Sequence, residues 1–368
     1  MKDLRNYFKQ LDYALIAIVA TLALIGVLMI ASATKSTEST RQILVQCIAV
    51  GLGAMAMLVV AAIDYEAYGS FEKYIYLGSI LILVFVLLFG QGKAETGANS
   101  WFRIGGISIQ PSEFVKLAFC ITFANRLSKL EDSVNNPKIL AQLFLHFAVL
   151  GGLVILQNDT GTALVFLFMF LCMLFAAGLS YKYIVGGIAA FLAFAPLAWF
   201  VLMKPYQRER ILVFLNPERD ASGSGYQVLQ SKIAIGSGEF LGRGYMQGPQ
   251  NQLGMLPEKE TDFIFGVIGE EFGFIGSIVV LLLLVLLIVR CIYIGMHSKN
   301  KLGCFICIGI ASMFLFHTIE NIFMCIGLMP VTGIPLPFLS YGGSSAVTNF
   351  LAIGLVLSVW SGRRNLRF

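Results

Sequence analysis

Charge is what this 368-residue chain has least of: Asp, Glu, Lys and Arg make up 13% of it and hydrophobic residues 57%, where an ordinary soluble domain is about a quarter charged. The mean hydropathy of +0.80 excludes such a domain and puts the chain in a bilayer. Histidine occurs three times, and no cluster has metal-ligand spacing. There is no G-x-x-x-x-G-K-[ST] phosphate loop, so ATP-driven chemistry has no support, and no internal repeat. The seven cysteines (Cys47, Cys120, Cys172, Cys291, Cys304, Cys307, Cys325) lie in or beside apolar runs. A disulfide framework is therefore not expected. Cys304-x-x-Cys307 has no neighbouring His or second pair and reads as helix packing. Both ends are short and basic, and the first apolar run, Leu11 to Ala33, is long enough to span and lacks a small-residue cleavage site.

What the chain does have is long apolar runs. A span needs about 20 mostly apolar residues, and ten segments qualify or come close: 11–33, 43–63, 74–90, 112–127, 139–157, 160–178, 183–203, 263–289, 303–328 and 343–361. The fourth is the weakest. The fifth and sixth, separated by little more than Asn158-Asp159, read as a tight helical hairpin. Cytoplasmic connections retain Lys and Arg. With the amino terminus inside, the inner side collects Lys2, Arg5, Lys9, Lys73, Arg126, Lys129, Lys138, Lys182, Arg290, Lys299, Lys301, Arg363, Arg364 and Arg367. The short outer loops hold only Lys35, Arg41, Lys93 and Arg103. The expectation is one all-α, multi-pass membrane domain over 1–368, with about ten transmembrane helices and both termini cytoplasmic. Residues 204–262 then form a large extracytoplasmic loop between helices 7 and 8. Its acids and bases balance, which argues against a nucleic-acid surface. Within it, "GYQVLQSKIAIGSG" suits a short amphipathic helix at the membrane surface.

Ionisable residues in spans are costly, roughly 2.5–3.5 kcal/mol each at a helix centre, so each asks for a reason. In "QPSEFVKLAF", Pro111 and Glu113 suit a helix start, and Glu113 and Lys116, three apart, share a face and can pair. A structural clamp and a place at an active site both fit them. Asp159 in "QNDTGT" fits a helix cap as well as a site residue. His146, His317 and Glu320-Asn321 read as interhelical hydrogen-bonding groups. Asp262, in "EKETDFIF", ends the large loop and precedes Gly266, Gly269, Gly273 and Gly276 at helical spacing, which allows close packing of a rigid helix. It fits both a general base and a helix N-cap. "VTGIPLPFLSYGGSS" cannot form an unbroken span, and non-helical backbone at this depth must pack in protein or line a cavity. It reads as a re-entrant element or a site wall.

Taken together, "QPSEFVKLA", "QNDTGTALV", "YQVLQSKIAIGSG", "LPEKETDFIFGVIGEEFG" and "GIPLPFLSYGGSS" resemble, in order and over nearly the whole chain, the SEDS family (shape, elongation, division and sporulation proteins). "QSKIAIGS" and "PQNQL" resemble its rod-shape branch more than its division branch. The resemblance implies a peptidoglycan glycosyltransferase of the bacterial cytoplasmic membrane that polymerises lipid II at the outer face. It also implies a class B penicillin-binding protein (transpeptidase) as partner, beside other elongation-complex proteins. It places the catalytic aspartate on Asp262, the conserved pair on Glu113 and Lys116, and the loop arginine on Arg210. Asp159, Ser231, Lys232, Glu258 and Thr261, in the matched motifs, are supporting candidates. A divalent cation (Mg or Mn) is a possible cofactor, with no ligand set assigned. Three positions depart from the family pattern: Glu260 for His, Glu239 for Gly and Asn158 for Pro. A lipid II flippase is the rival reading, and a non-catalytic scaffold for the penicillin-binding protein the next.

Overall fold

The computed structural model describes residues 11–35, 40–92, 99–104, 107–220 and 223–362. The terminal cations used for orientation, Lys2, Arg5, Lys9, Arg363, Arg364 and Arg367, and also Lys93, lie outside these residues. Among the described residues, eight helices are long and apolar enough to cross a membrane. They are α1 (Tyr13–Thr34), α2 (Thr40–Ala62), α4 (Glu72–Phe89), α6 (Pro137–Leu156), α8 (Tyr181–Leu197, continued by a π-helical turn, Ala198–Leu202), α12 (Ile264–Met296), α13 (Lys301–Cys325) and α14 (Gly343–Gly362). Two more match the remaining expected segments: α5 (Pro111–Leu130), whose polar residues depress its hydropathy, and the shorter apolar α7 (Thr160–Ala176). Short helices α3 (Tyr65–Ser70), α9 (Pro205–Leu215), α10 (Ser224–Ser237) and α11 (Pro249–Gln252), with two 3-10 turns at Glu131–Ser133 and Pro217–Arg219, complete the helical set among the described residues. A small antiparallel pair, β1 (Phe102–Ile104) with β2 (Ile107–Ile109), precedes α5. Periodicity did not suggest it, because three-residue strands carry too few side chains to show a pattern.

The most buried spans are α13 and α14, and the least is α8, none of whose described side chains is buried. Close crossing of α14 with α2 depends on small residues: a Cβ at Gly53 would lie 2.6 Å from the Phe350 ring, and one at Gly354 would lie 2.7 Å from the Met57 carbonyl. The α6–α7 hairpin turns at Asn158, which adopts φ +63°. A proline cannot take that angle, so this turn differs in backbone from that of any relative with Pro there.

Helix α12 corrects one expectation. The glycines at 266, 269, 273 and 276 do not all serve packing. Gly273 has φ 64° and ψ −158°, a conformation open essentially only to glycine, and it breaks the helix in two. The backbone groups freed there bond to the preceding loop: Phe274 N–H donates to the Glu239 carbonyl (2.8 Å), and Arg243 N–H donates to the Glu270 carbonyl (2.9 Å). Glu239, where the family pattern has Gly, itself sits at φ +51°. Only Gly266 and Gly269 mediate the close approach of α10, with Cβ positions 2.9 Å from Ser231 Oγ and Ile235 Cγ1.

Helix α10 forms as expected, with Gly225, Val228, Ser231 and Ala234 buried and Leu229 and Ile233 exposed; it meets α12 where Ser231 faces Gly266 and Ile235 faces Gly269. Its buried face is the small-residue one. Between α13 and α14, the "VTGIPLPFLSYG" part of the stretch runs non-helically with Ile334, Leu336, Phe338 and Leu339 buried, and its last three residues, Gly343-Ser344-Ser345, open α14. It lies against α1 at Gly26, where a Cβ would meet the Phe338 carbonyl at 2.2 Å. Its polar backbone is satisfied by side chains: Leu336 N–H donates to Ser340 Oγ (2.8 Å) and Gly342 N–H to Gln46 Oε1 (3.2 Å). This accounting lets irregular backbone sit inside the bundle.

Candidate active site

A cavity of about 590 Å³ opens at the end of the bundle opposite to that where α1 begins and α14 ends. That size suits a small-molecule or headgroup site. Its walls come from the loop before α5, the α6–α7 turn, α9, the start of α10, the turn before α12, and the 331–345 stretch. Of the sequence candidates, Glu113, Lys116, Asp159, Arg210, Glu258, Thr261 and Asp262 all line it. Ser231 and Lys232 do not. Ser231 is fully buried and donates to the Cys325 carbonyl (2.9 Å), joining α10 to α13. Lys232 lines a much smaller adjoining pocket that also touches Arg210.

Asp262 sits in a turn that folds on the Glu258 carbonyl, which accepts from the N–H groups of Thr261, Asp262 and Phe263 at 3.1–3.2 Å. Glu258 holds φ +48° to make it. The cap position of α12 is Phe263, and no side chain caps that helix end, so the capping reading of Asp262 fails. Neighbouring side chains diverge from this turn. Glu258 and Thr261 face the cavity and bond to each other (3.0 Å), whereas Lys259 turns inward to the Asn251 carbonyl. Glu260 accepts from Gln42 of α2 (2.9 Å), away from the cavity. The departure from His at 260 therefore changes a tie to α2.

The Asp262 backbone is pinned as well. Asn321 Nδ2 of α13 donates to the Asp262 carbonyl (2.8 Å) and to the Ile334 carbonyl (2.9 Å), tying the turn to the site wall. Gly333 stands so close that an added Cβ would lie 3.3 Å from Asp262 Oδ2. Burial, helped by the nearby Glu258 charge and opposed by Arg210, pushes the Asp262 carboxyl up from 3.8 to about 7. A carboxylate held near neutrality is suited to take a proton at physiological pH.

On α5, Pro111 occupies the first turn and Glu113 and Lys116 form a fully buried ion pair of 2.7 Å. The ammonium also contacts His317 Nε2 of α13 at 3.0 Å, and His317 Nδ1 contacts the Pro335 carbonyl at 3.1 Å. Asp159 does cap: Oδ1 accepts from the Thr162 N–H (3.1 Å), and Oδ2 accepts from Gln110 (2.8 Å), which fixes the strand exit to the α6–α7 turn. His146 bonds across helices to Thr122 (3.1 Å), as its sequence context suggested. His317 lines the cavity, and Glu320 bonds to Thr332 of its wall, so these two are site residues the sequence reading missed. A lone His or Glu in an apolar helix gives no signal that separates a site from a packing bond.

Among the described residues no three His, Cys, Asp or Glu side chains converge as metal ligands. These residues make no cage for a resident divalent cation.

Membrane-crossing helices around one terminal cavity, lined by the raised Asp262 carboxyl, an arginine and a buried lysine, define an integral membrane protein with a polar site at one end of its bundle. The chain belongs to the FtsW/RodA/SpoVE family: the family model described as "Cell cycle protein" matches residues 12–365. It is 37% identical to a probable peptidoglycan glycosyltransferase FtsW of Trichlorobacter lovleyi, covering 98% of this chain and 97% of that one. It is 36% identical to the peptidoglycan glycosyltransferase MrdB of Escherichia coli K12, covering 97% and 95%. In structure it superposes with TM-score 0.83 at 29% identity, covering 96% and 98%, on a chain of a peptidoglycan synthase complex solved to explain how polymerization and crosslinking are coordinated. The protein is thus a multi-pass protein of the bacterial inner membrane.

Proposed function

We propose that the protein is a peptidoglycan glycosyltransferase that joins lipid II units into glycan strands, with the cavity at the outer face of the membrane. The observation that carries this reading is Asp262, pinned by Asn321 and with its carboxyl held near pH 7, in one cavity with Arg210 and Lys116. The acceptor hydroxyl gives its proton to the Asp262 carboxylate as its oxygen bonds the donor sugar's anomeric carbon. The bond from that carbon to the lipid diphosphate breaks with the electron pair leaving on the diphosphate, whose charge Arg210 and Lys116 stabilise.

Most polar residues of the cavity come from one end of the bundle, with Lys116 and His317 the deepest, which supports a transferase at one face over a carrier with a midplane site. A class B penicillin-binding protein is the partner this reading requires, consistent with the synthase complex that contains the structural relative. The relatives' names divide between FtsW and MrdB at near-equal identity, and "QSKIAIGS" favours the elongation branch. The test is reconstitution with lipid II and the partner transpeptidase. Wild type yields glycan strands, and Asp262→Asn loses about 10²–10⁴-fold in rate. Transbilayer movement of lipid II without polymer, or an active Asn variant, refutes the proposal.

A further inference from the structure

The Lys116–His317 contact contains more than an ion-pair neighbour. A carbonyl can only accept, so the His317 Nδ1 lying 3.1 Å from the Pro335 oxygen carries the proton. An ammonium can only donate, so Nε2, 3.0 Å from Lys116 Nζ, is the unprotonated acceptor. The imidazole is therefore neutral and in one tautomer, and Pro335 of the cavity wall selects it. Of the three Lys116 N–H groups, one goes to Glu113 Oε1 at 2.7 Å and one to His317. The tetrahedral nitrogen then has its last N–H direction set by the other two. Lys116 is 1% exposed and lines the cavity.

We infer that His317 is a positioning residue: with Glu113 it holds Lys116 so that its one remaining N–H points into the cavity as a directed donor to a phosphate oxygen of the lipid diphosphate. This rests on the polymerase reading of the same cavity. A lysine on a four-carbon stem is otherwise a mobile point charge. Two fixed acceptors turn it into an oriented hydrogen-bond donor, the pre-organisation that stabilises charge developing on a leaving group. The Pro335 link fixes which ring nitrogen is the acceptor, and that acceptor, with the Glu113 carboxylate, sets the direction of the ammonium.

Two amides separate this role from a purely structural one. In His317→Gln the amide oxygen reaches the Nε2 position and still accepts from Lys116, while the Pro335 bond is lost. In His317→Asn the amide nitrogen falls near Nδ1 and still donates to Pro335, while Lys116 loses its acceptor. Inorganic diphosphate binding is measured by calorimetry on the full-length protein in detergent, alongside the thermal midpoint of each variant. Polymerisation of lipid II is followed in proteoliposomes with the partner. The expected result is that Gln stays within about threefold of wild type in diphosphate affinity and turnover, and that Asn loses about tenfold or more in both, as for a lost charge-assisted hydrogen bond. Asn equal to or better than Gln at matched stability overturns the inference and makes His317 a tether. A wild type that binds no diphosphate also overturns it. A wild type that binds diphosphate with this ranking but makes no glycan refutes the polymerase reading instead.

Discussion

The raised carboxyl of Asp262 has two measurable signatures that must agree. If its ionised form is the base, activity follows ionisation: half-maximal near pH 7, about a tenth of maximal at pH 6, and falling tenfold per unit below. The same group weakens the fold. Its folded value, about 7, lies above the unfolded 3.8, so the charged form is the disfavoured one. The penalty is absent below pH 3.8, grows through the interval, and is complete above pH 7, where it reaches about 4 kcal/mol at 1.36 kcal/mol per unit. At pH 5.5 it is about 2 kcal/mol by the same arithmetic. Asp262→Asn, which carries no charge, should gain on wild type by a further ~2 kcal/mol between pH 5.5 and 8.5. For a chain of this length that is about 3 °C in thermal midpoint. The assay is a pair of pH series on wild type and variant, one of initial polymerisation rate and one of thermal unfolding. An acid limb near pH 4, or a midpoint difference that does not change with pH, would refute the burial argument.

Other expectations follow from the same geometry. Glu258→Gln removes the charge that raises Asp262 and should move the acid limb of the rate profile down by roughly half to one pH unit, while Arg210→Met should move it up as well as slow the reaction. Removing either partner of the buried Glu113–Lys116 pair should cost about 3–5 kcal/mol, and the double substitution Glu113→Gln with Lys116→Met should cost less than the sum, read by denaturation in a double-mutant cycle. Gly273→Ala should destabilise by about 1–3 kcal/mol from its backbone angles alone, with a further cost from a Cβ 2.4 Å from the Gly242 nitrogen, whereas Ala at Gly187, which meets nothing, should be near neutral.

How much of this was legible in the sequence depended on whether a physical rule maps spacing to direction. Eight of the spans follow from run length, whereas α5 and α7 fall short of it among the described residues. Glu113 and Lys116 follow from i,i+3 adjacency, and the wall from prolines and glycines that no span accepts. Gly273 was not legible, because a glycine that breaks a helix and one that packs it occupy the same spacing; the difference lies in the Glu239–Arg243 backbone that bonds to the break. Ser231 continues the α10 face that carries Ser224 and Gln227 to the cavity, but one turn further along that face meets the Cys325 carbonyl. Asp262 as a cap failed by one position: Phe263 precedes the helix, and the aspartate is left to the cavity. His317 was hidden because its partners lie at Lys116 and Pro335, and only the tertiary fold brings them together.

The Gly273 break has a mechanical consequence. The rod beyond it, Phe274 to Met296, is roughly 34 Å long at 1.5 Å per residue, enough to match a bilayer core unaided. The segment that follows Asp262, from Ile264 to Phe272, is fastened by α10 and the 239–244 backbone. Phe274 and Ile275, the first residues of that rod, donate to the Glu239 and Phe240 carbonyls, so the same loop clamps the break from both sides. The long membrane rod and the short segment that follows Asp262 are thereby set at one angle by a single stretch of backbone, residues 239–244.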